Sequence, residues 1–172
     1  TQRAAAPLAG GMPLPDFAKW GQVQREPMSA IRRKTAEHMA LCWATIPHVT
    51  QHDTANITEL EALRKRFAPR AEAAGGKLTI TAILLKIVAA ALKVFPKFNA
   101  SIDMAHNEII YKKFYNLGVA VDTPRGLLAP VLRDADRKNI IQLAVELNQI
   151  AARARDGKIT PDDISGGTFT IT

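Results

Sequence analysis

Residues 121–127 have the sequence VDTPRGL, a polar stretch between two apolar segments, and this stretch decides the fold class. Pro124 fixes φ for a turn, and Gly126 can adopt the positive φ that tight turns often need. The flanking segments, 115–121 and 127–132, are mostly apolar and short, as strands are. We therefore predict that the chain reverses direction here and forms a strand pair.

Four helices are predicted around this strand pair. Ser29 is a good N-cap for the first helix, which Pro47 ends. Thr58 and Glu61 form a capping-box pattern at the start of the second helix. Between these two helices, the segment 48–56 alternates loosely between polar and apolar residues. This alternation predicts an exposed or interfacial strand.

The third helix is distinguished by apolar residues on nearly every face. Thr79 or Thr81 caps it, and apolar side chains dominate residues 83–92. A helix with this pattern belongs in the middle of a domain. The fourth helix begins at Lys138 or Asn139 and is amphipathic, so only one of its faces is expected to be buried.

A second hairpin and a final strand complete the predicted architecture. Short strands around Ile102 and at 109–111 flank a polar tip, which indicates a hairpin. Residues 168–172 alternate threonines with Phe169 and Ile171, which indicates a buried strand. Strands in hairpins, together with strands between helices, predict an α/β fold. It is an α+β two-layer arrangement in which helices pack on a mixed or largely antiparallel sheet.

Composition and charge limit the classes of protein to which the chain can belong. The 172 residues include 47% hydrophobic side chains, enough for one packed domain, and carry a net charge of +7. Aromatic residues make up only 6% and do not interleave with the scattered basic positions, so nucleic acid is not an expected partner. An acidic protein or a phosphate-bearing cofactor also fits a basic surface. No apolar run is long enough to span a membrane, so no membrane partner is expected.

Motifs for several common chemistries are absent from the sequence. Cys42 is the single cysteine, so the chain has no internal disulfide, which fits a reducing compartment. There is no Cys-x-x-Cys, His-Glu-x-x-His, dinucleotide-binding or P-loop pattern. His48 and His52 lie four apart, but on a predicted strand rather than a helix, so we interpret them as solvent or interface histidines. No metal site is predicted.

Several short motifs, taken in order, resemble the catalytic domain of the 2-oxo acid dehydrogenase acyltransferases, the E2 family. They are DFAKWG at 16–21, IPHVTQ at 46–51, ITELE at 57–61, FNAS at 98–101 and, most specific, residues 118–133. IPHVT and ITELE look most like acetyltransferases of pyruvate dehydrogenase complexes. We therefore expect residues 1–15, which are rich in Ala and Pro, to be a linker or arm. Residues 16–172 are then the N-terminal part of an acyltransferase catalytic domain.

The resemblance implies a fold similar to chloramphenicol acetyltransferase and a specific reaction. An acetyl group moves between dihydrolipoamide and coenzyme A, with coenzyme A or acetyl-CoA as substrate, the lipoyl group on a separate domain and no metal. Family members are homotrimers with active sites between subunits, and they build a cubic or icosahedral core. Lipoyl domains and other subunits of the complex are the implied partners. The implied location is the cytoplasm of a bacterium or the mitochondrial matrix.

The resemblance also implies roles for four residues. Thr172 stands where the family carries the hydroxyl that stabilises the oxyanion, at the end of the strand that follows Gly166-Gly167. Arg33 lies where related acyltransferases place a basic residue that pairs with the aspartate of a His-x-x-x-Asp-Gly motif. Asp122 and Gly126 are expected to shape a hairpin beside the substrate channel. The residues that contact coenzyme A are not assigned.

The chain departs from the family pattern in one respect. Its histidines are His38, His48, His52 and His106, and none is followed by Asp-Gly at the family spacing. We therefore expect the C-terminal part of the fold, with the general base, to be missing, and the 172 residues to be inactive alone. Two alternatives stay open. The chain could be a non-catalytic oligomeric assembly module of the same fold, or a related coenzyme A-dependent acyltransferase with another acceptor.

Overall fold

The computed structural model describes residues 13–172, which fall into two units divided after residue 53. Residues 1–12 lie outside the described residues, so most of the linker expected at 1–15 stays a prediction. No helix within 13–172 combines the length and the apolar character needed to cross a membrane. Four α-helices and five strands are assigned in this part of the chain.

The first unit contains helix α1, Ala30–Thr45, after a single 3₁₀ turn at Phe17–Lys19. The Ser29 hydroxyl accepts the N–H of Arg32 at 3.3 Å, which confirms the predicted N-cap. The strand predicted at 48–56, across the division between the units, is wrong. This segment forms no strand, and Val49 is 93% exposed. Loose alternation over a mostly polar stretch did not create the apolar face that a strand must bury.

The second unit contains helices α2, Thr58–Ala73, α3, Ile80–Val94, and α4, Ile140–Arg155. The Thr79 hydroxyl accepts the N–H of Ala82 at 3.2 Å, as expected of an N-cap. At α4 a full capping box is present, because Asn139 and Gln142 each accept the other's backbone N–H at 2.9 Å. Glycines with positive φ follow α2 and α4 and end both helices.

The capping box predicted at the start of α2 is wrong. Asn56 Oδ1 accepts the N–H of Thr58 at 3.0 Å, and Ile57 occupies the N-cap position without a side-chain bond. Glu61 does not reach back to the helix start, because both of its oxygens accept hydrogen bonds from Arg64 at 2.6 and 2.7 Å. A charge-assisted bidentate pair has replaced the reciprocal cap.

Five strands form two small sheets in the second unit. They are β1, Ala100–Asp103, β2, Glu108–Tyr111, β3, Leu117–Val119, β4, Val131–Leu132, and β5, Phe169–Ile171. β1 and β2 form the predicted antiparallel hairpin. In the second sheet the order is β4-β3-β5, with β4 antiparallel and β5 parallel to β3. Both predicted hairpins and the mixed sheet are therefore confirmed.

A single large apolar cluster joins helices α2, α3 and α4 to the three-stranded sheet. Its fully buried leucines include Leu85 of α3, Leu117 of β3 and Leu143 of α4. The prediction that α3 lies in the middle of the domain is correct for one of its faces only, since Ile87 on the same helix is 49% exposed. The prediction that the last strand is buried is wrong at Phe169, which is 38% exposed, because β5 lies at the edge of the sheet in the described chain.

Asp163, in the turn before β5, is expected to make stability depend on pH. It accepts hydrogen bonds from the backbone N–H and the hydroxyl of Thr160, both at 2.8 Å, and it pairs with Arg153. Chiefly the Thr160 bonds, and then Arg153, lower the pKa of Asp163 from 3.8 to about 2. The contribution of this carboxylate is complete above pH 3.8 and is lost as the pH falls through about 2.

Between these two pH values the unfolded chain binds more protons than the folded one, so the free energy of unfolding rises with pH. Urea denaturation at closely spaced pH values measures this slope. Asp163→Asn should flatten it. An asparagine variant with the slope of the parent protein would contradict the assignment to Asp163.

Candidate active site at the end of two parallel strands

The parallel strands β3 and β5 lead into three of the four residues that the motifs single out, Asp122, Gly126 and Thr172. Their register pairs Leu117 with Phe169, Gly118 with Thr170, and Val119 with Ile171. The strands approach closely because Gly118 has no side chain, and a Cβ there would lie 3.1 Å from Thr170 Oγ1. Beyond β3, the N–H of Ala120 donates to the carbonyl of Ile171 at 2.9 Å. The carboxyl ends of the two strands therefore lie side by side.

Thr172 comes directly after β5, at this shared carboxyl end. Continuing the register sets it beside Ala120, and the alternation of a strand puts both on the face opposite Ile171. Ile171 packs against the apolar cluster, whereas Thr172 is exposed. The Thr172 side chain is therefore exposed at the carboxyl end of the sheet, on the face opposite Ile171.

The turn that follows β3 is ordered by the buried side chain of Thr123. Its hydroxyl accepts the N–H of Arg125 at 3.2 Å and donates to the carbonyl of Gly126 at 2.6 Å. The N–H of Gly126 donates to the Thr123 carbonyl at 2.9 Å. Asp122 is exposed at the base of this turn, two residues beyond Ala120. Asp122, Gly126 and Thr172 thus share one unit, with Asp122 and Thr172 at the same end of its sheet.

Gly126 has a φ of +123°, a conformation that side-chain-bearing residues rarely adopt. Gly126→Ala is expected to lower the free energy of unfolding by about 1–3 kcal/mol, because the strained backbone must be kept or the turn must open. Urea denaturation measures the change. The matched control is Gly21→Ala, where an added Cβ has nothing within 4 Å and φ is not positive. Equal midpoints for the two variants would contradict the expectation.

Arg33 belongs to the other unit, where it occupies the first turn of α1 and is exposed. Its backbone N–H donates to the Ser29 carbonyl at 2.9 Å. The hydrogen bond from Lys34, at 2.9 Å, lowers the pKa of Glu37, and the charges of Lys34 and Arg33 lower it further against the opposing effect of desolvation. A cation in the first turn does not gain from the helix dipole. Arg33 therefore gains nothing from the dipole of its own helix, although its charge favours the ionised form of Glu37 one turn further along.

A cavity of about 240 Å³ adjoins the carboxyl end of β3. It lies between the strand and the helices, lined by Thr79, Thr81, residues 119–122, Leu147, Asn148, Ala151 and Arg155. Thr172 is not among these lining residues. Within residues 13–172, no three His, Cys, Asp or Glu side chains are grouped so that they could hold a metal ion.

Residues 21–172 match the family model of the 2-oxoacid dehydrogenases acyltransferase catalytic domain. The chain belongs to this family. The match confirms the relationship that the short motifs indicated, and it includes both Arg33 and Thr172. The α/β fold class is confirmed as well, because solved catalytic cores of the family superpose on this structure.

Two bacterial relatives carry the description dihydrolipoyllysine-residue acetyltransferase component of the pyruvate dehydrogenase complex. The protein from Cupriavidus necator is 43% identical over 165 residues, which are 95% of this chain and 30% of the relative. The protein from Pseudomonas aeruginosa is 44% identical over 166 residues, again 95% of this chain and 30% of the relative. The chain thus spans about a third of the length of these E2 acyltransferases.

Solved E2 structures match the fold over most of the chain. The dihydrolipoamide acetyltransferase of Azotobacter vinelandii, studied for a serine, a histidine and an asparagine in its catalytic mechanism, has a TM-score of 0.89 at 43% identity. The cubic core of a pyruvate dehydrogenase multienzyme complex also has a TM-score of 0.89, at 42% identity. Each match covers 93% of this chain and 66% of the other chain.

Two residues that organise the strand entries and the turn after β3 were missed by sequence reasoning. Thr123 was passed over for its neighbours Asp122 and Gly126, although a threonine at the start of a proline-glycine turn is a signal for side-chain bonding to the turn backbone. Asn116 precedes β3 and is buried, with bonds to segments distant in sequence. A lone asparagine before an apolar strand gives no local signal of such contacts.

Proposed function

We propose that residues 16–172 are the N-terminal part of the catalytic domain of a dihydrolipoamide acetyltransferase, preceded by a linker or arm at 1–15. Support comes from the family match and from the relatives, which are acetyltransferase components of pyruvate dehydrogenase complexes. The coverage of 66% of the solved catalytic chains is consistent with a longer domain. The general-base histidine would then come from residues outside these 172.

The proposed reaction transfers an acetyl group between two thiols. The general base takes the proton of the coenzyme A thiol, and the sulfur attacks the carbonyl carbon of acetyl-dihydrolipoamide. The carbonyl oxygen becomes an oxyanion, which the Thr172 hydroxyl stabilises by donating a hydrogen bond. The carbon–sulfur bond to the lipoyl group then breaks, and the departing sulfur takes up the proton. Acetyl-CoA and dihydrolipoamide result, and the reverse transfer follows the same path.

The observation that carries this proposal is the position of Thr172. It is exposed, it follows a strand held by both a parallel neighbour and the apolar cluster, and the carbonyl of the residue before it, Ile171, accepts the N–H of Ala120. A preorganised donor of this kind is what stabilisation of a developing oxyanion requires. The serine studied in the Azotobacter vinelandii mechanism supports a hydroxyl as one of the working groups in this family.

The other three residues have supporting roles in the proposal. Asp122 and Gly126 shape the turn beside the substrate channel. Arg33 pairs with an aspartate of the His-x-x-x-Asp-Gly segment and so positions the segment that carries the base. The position of Arg33 in the exposed first turn of α1, where the helix dipole does not favour a cation, supports a partner elsewhere.

The proposed assembly is a homotrimer that builds a cubic or icosahedral core and is served by lipoyl domains carrying the substrate. A solved relative that forms the cubic core of a pyruvate dehydrogenase multienzyme complex supports the larger assembly. The proposed location is the bacterial cytoplasm or the mitochondrial matrix. Neither nucleic acid nor a membrane is among the proposed partners.

Acetyl transfer from acetyl-CoA to dihydrolipoamide by the purified full-length protein tests this function. We expect saturable transfer with both substrates. Transfer to another thiol or amine but not to dihydrolipoamide would support the alternative of a different acceptor. An assembled protein without any transferase activity or coenzyme A binding would support the assembly module and overturn the proposed function.

A further inference from the structure

Asn116 connects three segments of the second unit through its side chain and backbone. The side chain is buried, with the residue 8% exposed. Its Nδ2 donates to the carbonyl of Gly166 at 3.1 Å, and its Oδ1 accepts the N–H of Asp134 at 3.0 Å. Its own carbonyl accepts the N–H of Thr168 at 2.8 Å and the Thr168 hydroxyl at 3.2 Å. One residue thus holds both the turn after β4 and the entry into β5.

The two segments that the Asn116 side chain holds have unusual backbones. Gly166 has a φ of +73° and Asp134 a φ of +49°, which for Asp134 is the left-handed region. Gly167 packs so closely that a Cβ there would lie 3.3 Å from Cγ2 of Val131. A residue other than glycine, such as Asp134, keeps a left-handed φ only where surrounding contacts fix it. The amide of Asn116 supplies a hydrogen bond to each.

β5 is short, so a few contacts decide its register. It has three residues and is paired on one side, with β3, in the described chain. A slip of one residue would turn Thr172 to the opposite face of the sheet and Ile171 out of the apolar cluster. The hydrogen bond from the N–H of Thr168 to the carbonyl of Asn116 is at one end of the β3–β5 pairing. The hydrogen bond from the N–H of Ala120 to the carbonyl of Ile171 is at the other end. The hydrogen bond from the Asn116 side chain to the Gly166 carbonyl fixes where β5 begins.

We propose that Asn116 is a positioning residue, which sets the register of β5 on β3 through its bonds to Gly166 and Thr168 and so places the Thr172 hydroxyl. This inference rests on the proposed role of Thr172 in acetyl transfer. Asn116 touches no substrate. It acts through the strand that ends at Thr172.

A double-mutant cycle in the full-length protein tests whether Asn116 acts through Thr172. Asn116→Ala should lower kcat by about 10- to 100-fold with little change in KM for acetyl-CoA, because a displaced catalytic group costs rate more than binding. In the Thr172→Ala background, Asn116→Ala should lower kcat no further. If the losses of kcat in the two single variants add fully in the double variant, the inference is overturned.

Two further variants separate positioning from general destabilisation. Asn116→Asp keeps the oxygen that accepts from Asp134 but loses the donor to Gly166, so it should lower kcat even if Asn116→Ala fails to fold. Asn139→Ala removes the N-cap bond to Gln142 at 2.9 Å and should lower the denaturation midpoint while leaving kcat unchanged. An Asn116→Asp variant with the kcat of the parent protein would count against the role of the Gly166 bond.

Hydrogen–deuterium exchange of the segment 166–172 gives a readout that does not depend on activity. Exchange should be faster in both Asn116 variants than in Asn139→Ala, because the strand entry is released. Unchanged exchange would overturn the positioning role. If Thr172→Ala itself keeps the kcat of the parent protein, the proposed role of Thr172 fails, and faster exchange would still show that Asn116 holds β5.

Discussion

Replacing Thr172 by alanine in the full-length protein is expected to lower kcat for acetyl transfer by about 100- to 1,000-fold, the usual effect of removing one oxyanion donor. The hydroxyl is lost from an exposed side chain, so folding should be little affected. Steady-state kinetics with acetyl-CoA and dihydrolipoamide measure the effect. KM should change much less than kcat, since the bond to the oxyanion forms in the transition state.

Thr172→Ser is the matched control for this prediction. It keeps the hydroxyl and removes only the methyl group, so it should retain most of the kcat that alanine loses. Thr172→Val, which has the shape of threonine without the hydroxyl, should behave like alanine. A valine variant as active as the serine variant would show that the hydroxyl donates nothing to the reaction.

Leu85→Ala is expected to destabilise the second unit by about 2–5 kcal/mol, the range for removing a fully buried leucine. Leu85 is 0% exposed on α3, within the cluster that joins α3, α4 and β3. The loss combines the transfer free energy of the removed methyl groups with the cavity that they leave. The midpoint and slope of urea denaturation give the change in the free energy of unfolding.

Leu127→Ala makes the same chemical change at a position that is 61% exposed. Its effect should stay within about 0.5 kcal/mol, since no cavity forms and little apolar surface is returned to water. The difference between the two leucines isolates burial from residue type. Equal losses at both positions would contradict the apolar cluster described around Leu85.

Local signals predicted well the elements whose causes are local. Ser29 and Thr79 cap their helices as expected, and the polar turn at 121–127 joins two paired segments. In each case a side chain bonds backbone groups within three residues, or a glycine adopts a φ that other residues avoid. Neighbours along the chain are sufficient to determine such features.

Sequence reasoning failed where several partners compete for one group. Glu61 has the spacing of a capping box, but Arg64 lies one turn further along the helix and takes both carboxylate oxygens. At 48–56 a pattern of alternation was present, but the segment forms no strand. The outcome in both cases depends on what else is within reach, and spacing alone does not carry that information.

For the candidate site too, some features could be predicted from local sequence and others could not. The short motifs were sufficient to indicate the family, to select Thr172 and Arg33 as candidates, and to place Asp122 and Gly126 in a turn. They could not reveal that β5 pairs in parallel with β3, because the paired residues are 52 positions apart, Leu117 with Phe169. Parallel pairing depends on packing over the intervening chain and not on a local turn.

By itself, the sequence determined the N-caps at Ser29 and Thr79, the hairpin turns and the family, because these depend on short-range bonding or on ordered motifs. Only the tertiary structure decided which face of the sheet Thr172 occupies and what holds it there. The reason is that the buried Asn116 amide bonds to Gly166 and Asp134, 50 and 18 residues away. Contacts between residues so far apart form only when the chain has packed. They set the register of β5 on β3, which puts the Thr172 hydroxyl on the sheet face opposite Ile171.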